Sequence, residues 1–174
     1  RAGELLGRGY VTPRMNNGRL RQGPAFWEVG IAAAQIEVDT DTGAIRIPHY
    51  VSVADVGVAI NPQQCEGQDE GASMQGLGHT LFEEMVYEDG QLLNPNMVDY
   101  KVPPFADLPG DLESMMIENH DGPGPFGAKG LGEGGIVSAA PSVANALFQA
   151  TGVRIKDLPL TPERVWRAIR DAKE

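Results

Sequence analysis

Between Asn119 and Gly135 the chain places seven glycines and two prolines and shows no apolar period. Such a stretch resists both helix and ladder, because glycine loses the most backbone entropy on ordering and proline has no N–H to give. An irregular segment of this length inside a compact domain is either functional or disordered. The whole chain holds 22 glycines in 174 residues, roughly twice the usual share of about 7%. They follow neither a collagen period nor the monotony of a linker, so they serve particular places. In Gly127-Ala128-Lys129-Gly130-Leu131-Gly132-Glu133-Gly134-Gly135 they flank one carboxylate on both sides. Backbone there can approach a bound group closely while Glu133 points at it. The segment lacks the Gly-Lys-Ser/Thr ending of a phosphate loop and the strand-first context of a dinucleotide fingerprint. From composition alone, a surface loop with an incidental Glu is an equally good reading.

The rest of the chain alternates strand and helix signals. Phe26 to Val38 is partly alternating and apolar, Asp39-Thr40-Asp41-Thr42-Gly43 is turn-like, and Ala44 to Val53 is β-prone, which together predict a hairpin. The acidic turn is not a calcium loop, because Gly43, Ala44 and Tyr50 stand where an EF-hand needs an oxygen ligand, a glycine and a glutamate. Asn61-Pro62 opens a helix that should run to about Met85. It must carry Gly67, Gly71, Gly76 and Gly78 at up to about 1 kcal/mol each. Gly67, Gly71, Gln75 and Gly78 fall on one face, open to another backbone or a ligand, with Gln75 projecting from it. Met85 to Leu93, centred on Asp89-Gly90, predicts a second hairpin. Val102 to Pro109 is a connection and Leu112 to Glu118 a strand. Ser142 to Thr151 predicts a helix closing on Gly152, and Thr161-Pro162 opens a last helix with Val165, Trp166 and Ile169 on its apolar face. The expected fold class is α+β, a mixed sheet with hairpins and packed helices, in one domain over residues 1–174 with an arm over residues 1–25.

A net charge of −10 and a pI near 4.7 argue against nucleic acid or anionic membrane as partners, since both reward excess Lys and Arg. No apolar run reaches the roughly 20 residues of a membrane span, and the N-terminus lacks a secretory layout. The reading is of a soluble, cytoplasmic chain. A single cysteine, Cys65, excludes an internal disulfide and an iron-sulfur cluster held by this chain alone; the thiol reads as packed and neutral. His79 and Glu83, four apart on the first helix, read as a surface ion pair in preference to metal ligands. His49 and His120 read as structural, Tyr100 and Lys101 as neighbours of the site in one reading of four, and Trp27 and Trp166 as core or interface anchors. No metal ligand is assigned to the chain.

Three segments in order resemble the molybdenum hydroxylases, the family of xanthine dehydrogenase, aldehyde oxidase and carbon monoxide dehydrogenase large subunits. Lys129-Gly130-Leu131-Gly132-Glu133 resembles the Lys-Gly-x-Gly-Glu segment that carries the base in that family. Asp55-Val56-Gly57 followed by Asn61-Pro62 resembles its Asp-Cys-Gly then Asn-Pro entry, with Val56 in place of the frequent Cys. Gly67-Gln68-Asp69-Glu70-Gly71-Ala72-Ser73-Met74-Gln75-Gly76-Leu77-Gly78 resembles its Gly-Gln-x-Glu-Gly, Gln-Gly-x-Gly helix. Asp69 departs from it, since an apolar residue is usual there. Shorter likenesses at Glu37 to Gly43, Leu93 to Asn96 with Asp99-Tyr100, and Leu158 to Glu163 extend the match over residues 25–170.

The resemblance implies the C-terminal part of a molybdopterin-binding large subunit. It makes Glu133 the catalytic base, which takes the proton of a molybdenum-bound hydroxyl as that oxygen attacks an electrophilic carbon of an aldehyde or N-heteroaromatic substrate, with a hydride equivalent passing to the metal's sulfido ligand. It makes Gln75 and Gly76, with Lys129, Gly130, Leu131 and Gly132, the cofactor-binding residues. It further implies a molybdopterin, in bacteria usually the cytosine dinucleotide, and electrons leaving through iron-sulfur clusters and FAD in partner chains. The upstream part of the molybdenum subunit would come from sequence outside this stretch or from another chain. Two other classes stay open at this point: a catalytically silent assembly subunit, disfavoured by retention of both Glu133 and Gln75, and an independent anion-binding module, which would fold alone and bind anions without molybdenum.

Overall fold

The computed structural model describes residues 3–4, 6–10 and 24–173, so most of the expected arm lies outside the described residues. Strands β1 (Gly30–Val38) and β2 (Ile45–Gly57) form the first hairpin. Its turn is closed by Gly43 N–H donating to Asp39 O at 2.7 Å and by the amides of Asp41 and Thr42 on Asp39 Oδ1. Strand β5 (Asp111–Glu118) pairs parallel with β2, so the three-stranded sheet has the order β1-β2-β5 and is mixed. The second hairpin is small: β3 (Tyr87–Glu88) and β4 (Gln91–Leu92) flank Asp89 and Gly90, both at positive φ, as a tight primed turn requires.

The β1/β2 register shifts between Gln35 and Glu37, opposite Pro48. A bulge is where a strand tolerates proline, and here it changes which side chains face inward. Ile47 is buried before it; Tyr50, Ser52, Ala54 and Val56 are buried after it. His49, Val51, Val53 and Asp55 therefore lie on the outer face, as strand alternation dictates. That face also carries Ile31, Met115 and Ile117, which are about half exposed or more.

The inner face is covered by helices α1 (Pro62–Leu81) and α2 (Gly134–Thr151), and α3 (Pro162–Asp171) closes one end through Val165 and Ile169. Tyr50, Leu77, Val143, Leu147, Leu160 and Val165 form the centre of the core. Helix α1 starts where Asn61 predicts, its side chain accepting from Gln64 N at 3.2 Å, but it stops at Leu81, four residues short of Met85. Phe82 and Glu83 both return their N–H to Gly78 O, which closes the last turn.

The larger departure is α2, which begins at Gly134 and not at Ser142, runs through Pro141, and closes on Gly152 at φ 75°. Local propensity argues against a helix over two glycines and a proline, with a cost of about 3 kcal/mol for an interior proline. Packing overrides it: Gly135, Ala139, Val143 and Leu147, four apart, form one buried stripe against α1 and the sheet. In α3, Val165 and Ile169 are buried, while Trp166 is only half-buried with Arg170 over its ring at 4.7 Å. Trp27 is 65% exposed and lies outside this chain's core. Among the described residues no helix is long and apolar enough to cross a membrane.

Candidate active site

Three elements meet at one end of the sheet: the exit of β2, the helix α1 and the glycine segment that leads into α2. Asp55 ties the exit of β2 to the glycine segment. Its Oδ2 receives Lys129 Nζ at 2.6 Å, and its Oδ1 receives Asn119 Nδ2 at 2.9 Å and Gly57 N–H at 3.1 Å. Both partners of the ion pair are largely withdrawn from water, with side-chain exposures of 7% for Lys129 and 19% for Asp55. The Lys129 ammonium, followed by the other donors, holds the Asp55 carboxyl below the ordinary aspartate value.

The irregular stretch is thereby ordered. Lys129 N–H reaches Val56 O at 3.0 Å, Asn119 N–H reaches Gly57 O at 2.7 Å, and Gly122 and Gly124 donate to Gly127 O and Ala128 O across the loop's own fold. His120 Nδ1 lies 3.1 Å from Phe126 O, a structural contact within the same loop. Gly57 is obligatory here: it sits at φ 65°, and a Cβ on it would collide with the backbone of Gly127 and Lys129. The motif Asp55-Val56-Gly57 and the motif at Lys129 are thus two halves of one lock.

Helix α1 joins the loop through Gln68, whose Nε2 donates to Gly132 O at 2.8 Å. About two turns later α1 packs on α2. A Cβ at Gly76 would come 2.7 Å from Ala139 Cβ and 2.9 Å from Ile136 O, and one at Gly135 would come 3.0 Å from Asp69 Oδ1. Small residues on both helices permit this close crossing. Gly67 and Gly71, by contrast, have nothing within 4 Å of a built Cβ, and Gln75 is exposed. The glycines of α1 therefore divide: Gly76 lets the helices pack, Gly67 and Gly71 leave an open face beside Gln75, and Gly78, expected on that face, is instead buried against Glu83 and Pro103.

Glu133 ends the loop as the residue before α2. Its carbonyl accepts Ile136 N–H at 3.1 Å, but its side chain makes no cap hydrogen bond, and it is exposed. The carboxylate is left free to meet a group from outside. It lines a cavity of about 530 Å³ with Glu28, Val29, Gly30, Gly134 and Val137. Gln75 lines a different one of about 430 Å³, with Met74, Glu83 and the Val102–Leu108 segment. Lys129 and Leu131 line a third of about 360 Å³, against Cys65 and Gln68. Gly130 packs on Phe26, with a built Cβ 3.0 Å from its ring, whereas Gly132 stays open. Lys129 and Leu131 lie at the junction with the α1 entry, whereas Glu133 and Gln75 line two other cavities that share no residue with each other.

Some site features escape sequence reasoning. Glu28 Oε1 is buried without a hydrogen-bond partner against Gly134, and burial, then the charges of Asp69 and Asp55, raise its pKa above the ordinary glutamate value; nothing in the local sequence marks it. Asp69, the departure in the α1 motif, is buried and receives Ser52 Oγ at 3.2 Å and Ser114 Oγ at 2.7 Å. The serines from β2 and β5 supply what an apolar residue would not need. Glu83 is not a simple surface partner of His79 (3.2 Å): its side chain is only 9% exposed and takes Tyr100 OH at 2.7 Å. Tyr100 is thus tied beside the Gln75 cavity, while Lys101 lines a separate one with Met97 and Pro104.

The model of the molybdopterin cofactor-binding domain matches residues 2–109. The chain belongs to that family. It is 40% identical over 145 residues to the xanthine dehydrogenase molybdenum-binding subunit of Escherichia coli O157:H7, covering 82% of this chain and 19% of the relative. It is 40% identical over 141 residues to the 6-hydroxypseudooxynicotine dehydrogenase complex subunit gamma of Paenarthrobacter nicotinovorans, covering 79% and 18%. The aldehyde oxidoreductase of Desulfovibrio gigas superposes with a TM-score of 0.75 at 33% identity, over 82% of this chain and 15% of that one. The chain spans under a fifth of the length of these relatives.

The residues present fit such a cofactor. A heterocycle with hydrogen-bonding edges needs open surface for its face and a few placed polar groups for its edge. The open Gly67–Gly71 face beside the exposed Gln75 amide offers both.

Proposed function

We propose that this chain forms the C-terminal part of the molybdenum subunit of a hydroxylating oxidoreductase, with Glu133 as its catalytic base. The observation that carries this reading is the state of Glu133: an exposed carboxylate at the mouth of α2, unspent on capping and held on a loop that Asp55 and Lys129 lock to the sheet. A molybdenum-pterin cofactor held here would supply the oxygen to be transferred and take up the two electrons. Glu133 takes the proton of the attacking hydroxyl, a task that requires a carboxylate within hydrogen-bond reach of it. Gln75 pairs with an edge of the pterin through its side-chain amide, and Gly76 keeps that helix turn against α2. The amides and carbonyls of Gly130, Leu131 and Gly132 line the approach. Lys129 positions the loop through Asp55.

The substrate class in this reading is an aldehyde or an electron-poor N-heteroaromatic carbon, and the cofactor is a molybdopterin, in the cytosine dinucleotide form. Electrons leave through iron-sulfur and FAD partner chains, and the remainder of the molybdenum subunit completes the pocket that Glu133 faces. The test is made on the complex purified with this chain in place: molybdenum is expected in stoichiometric ratio to it, and Glu133→Gln should abolish turnover with the metal retained. Full activity in Glu133→Gln, or a complex free of molybdenum, would overturn the proposal.

A further inference from the structure

The outer face of the sheet carries a second group of side chains, remote from the junction just described. His49 on β2 is in register with Asp111 on β5, and Glu113 follows two residues later on the same face of β5. His49 Nδ1 lies 3.1 Å from Asp111 Oδ2, and His49 Nε2 lies 3.5 Å from Glu113 Oε1. One ligand atom from each of the three residues falls within 4.8 Å of the others. Ligand oxygens and nitrogens around a tetrahedral ion sit about 2.0–2.2 Å from it; because the two carboxylates now face different ring nitrogens, binding turns one nitrogen of His49 toward a centre that both carboxylates reach.

The backbone fixes the arrangement. Pro48 stands at the bulge just before His49, Gly110 N–H donates to Ile47 O at 3.0 Å, and Gly110 packs so closely on Pro48 O that a Cβ would come within 2.8 Å. The entries of β2 and β5 are therefore held together, and two carboxylates of like charge are kept on either side of one imidazole. That placement costs repulsion unless a cation joins them. A neutral imidazole with two carboxylates is a donor set suited to Zn²⁺, with water in the remaining position.

We propose that His49, Asp111 and Glu113 form a divalent transition-metal site, of the zinc class, on the outer face of the sheet. It joins β2 to β5 at the end opposite Asp55 and is separate from the molybdenum chemistry. The competing account is an imidazolium clamped between two carboxylates, which binds no metal.

The two accounts separate in a titration of the full chain with Zn²⁺, followed by Co²⁺ for its visible absorption. One ion per chain is expected, with micromolar affinity and the intense Co²⁺ bands of a four-coordinate centre. Asp111→Asn and Glu113→Gln are exposed, near-isosteric changes that leave the fold intact, and each should weaken binding at least tenfold; His49→Ala should abolish it. His79→Ala and His120→Ala should leave it unchanged. Absence of stoichiometric binding, or binding that survives His49→Ala and Asp111→Asn, would overturn the proposal.

Discussion

Breaking the lock at Asp55 from its two sides should have unequal consequences. Asp55→Ala removes three donors' common acceptor and leaves the Lys129 ammonium, 7% exposed, with no counter-charge. Stripping the partner from a buried charge costs about 3–5 kcal/mol. Lys129→Met removes the cation but keeps a similar aliphatic stem, and Asp55 retains Asn119 Nδ2 and Gly57 N–H and is 19% exposed. One charge-assisted hydrogen bond is lost, worth about 1.5–3 kcal/mol. Asp55→Ala should therefore be the worse by about 2 kcal/mol, and the double variant should cost clearly less than the sum, because the stranded ammonium is gone. Urea unfolding at pH 7 followed by circular dichroism measures all four corners of the cycle. Equal single costs with additive behaviour would refute the reasoning. The acid limb supplies a second readout. The Asp55 pKa is lowered on folding, so its contribution is fully present above the ordinary aspartate value near 3.9 and is lost as pH falls through the lower folded value. Asp55→Asn should flatten that limb.

Asp69→Leu restores an apolar residue but strands the hydroxyls of Ser52 and Ser114; a loss of about 2–4 kcal/mol is expected, with partial recovery when both serines become alanine, read by chemical denaturation. Gly76→Ala, with its Cβ 2.7 Å from Ala139, should cost about 1–3 kcal/mol by overpacking, whereas Gly71→Ala, open to solvent, should stabilise by up to about 1 kcal/mol; thermal melts of the pair check the sign. Glu28 is raised by burial and by Asp69 and Asp55, so the folded state loses stability as pH climbs from the ordinary glutamate value through the raised one. Glu28→Gln should remove that decline and be relatively more stable at pH 7 than at pH 4.

The periodic parts of the fold were legible in the sequence. Asn61-Pro62 announces α1, the alternation around Asp39–Gly43 announces the β1/β2 hairpin, and Asp89-Gly90 announces the small one, because each signal is local chemistry. The start of α2 was not, since Gly134, Gly135 and Pro141 speak against a helix that only tertiary burial of the Gly135–Leu147 stripe stabilises. At the site, Glu133, Gln75 and Lys129 stood out through their glycine surroundings and family segments. Their connections did not: the Lys129–Asp55 pair spans 74 residues and the Gln68–Gly132 bond spans 64, separations that no local pattern encodes. Asp69 looked like a disturbance until the serines on β2 and β5 were placed beside it.

The central claim is that Glu133 takes a proton in the half-reaction that oxidises the substrate and reduces the enzyme. Its most direct measurement is the rate at which an aldehyde or N-heteroaromatic substrate reduces molybdenum in a single turnover, in complexes carrying Glu133 or Glu133→Gln at equal molybdenum and pterin content. Loss of a general base predicts a reduction rate lower by about 10²–10⁴-fold with the metal still bound. An unchanged rate at full cofactor occupancy would contradict the assignment of Glu133.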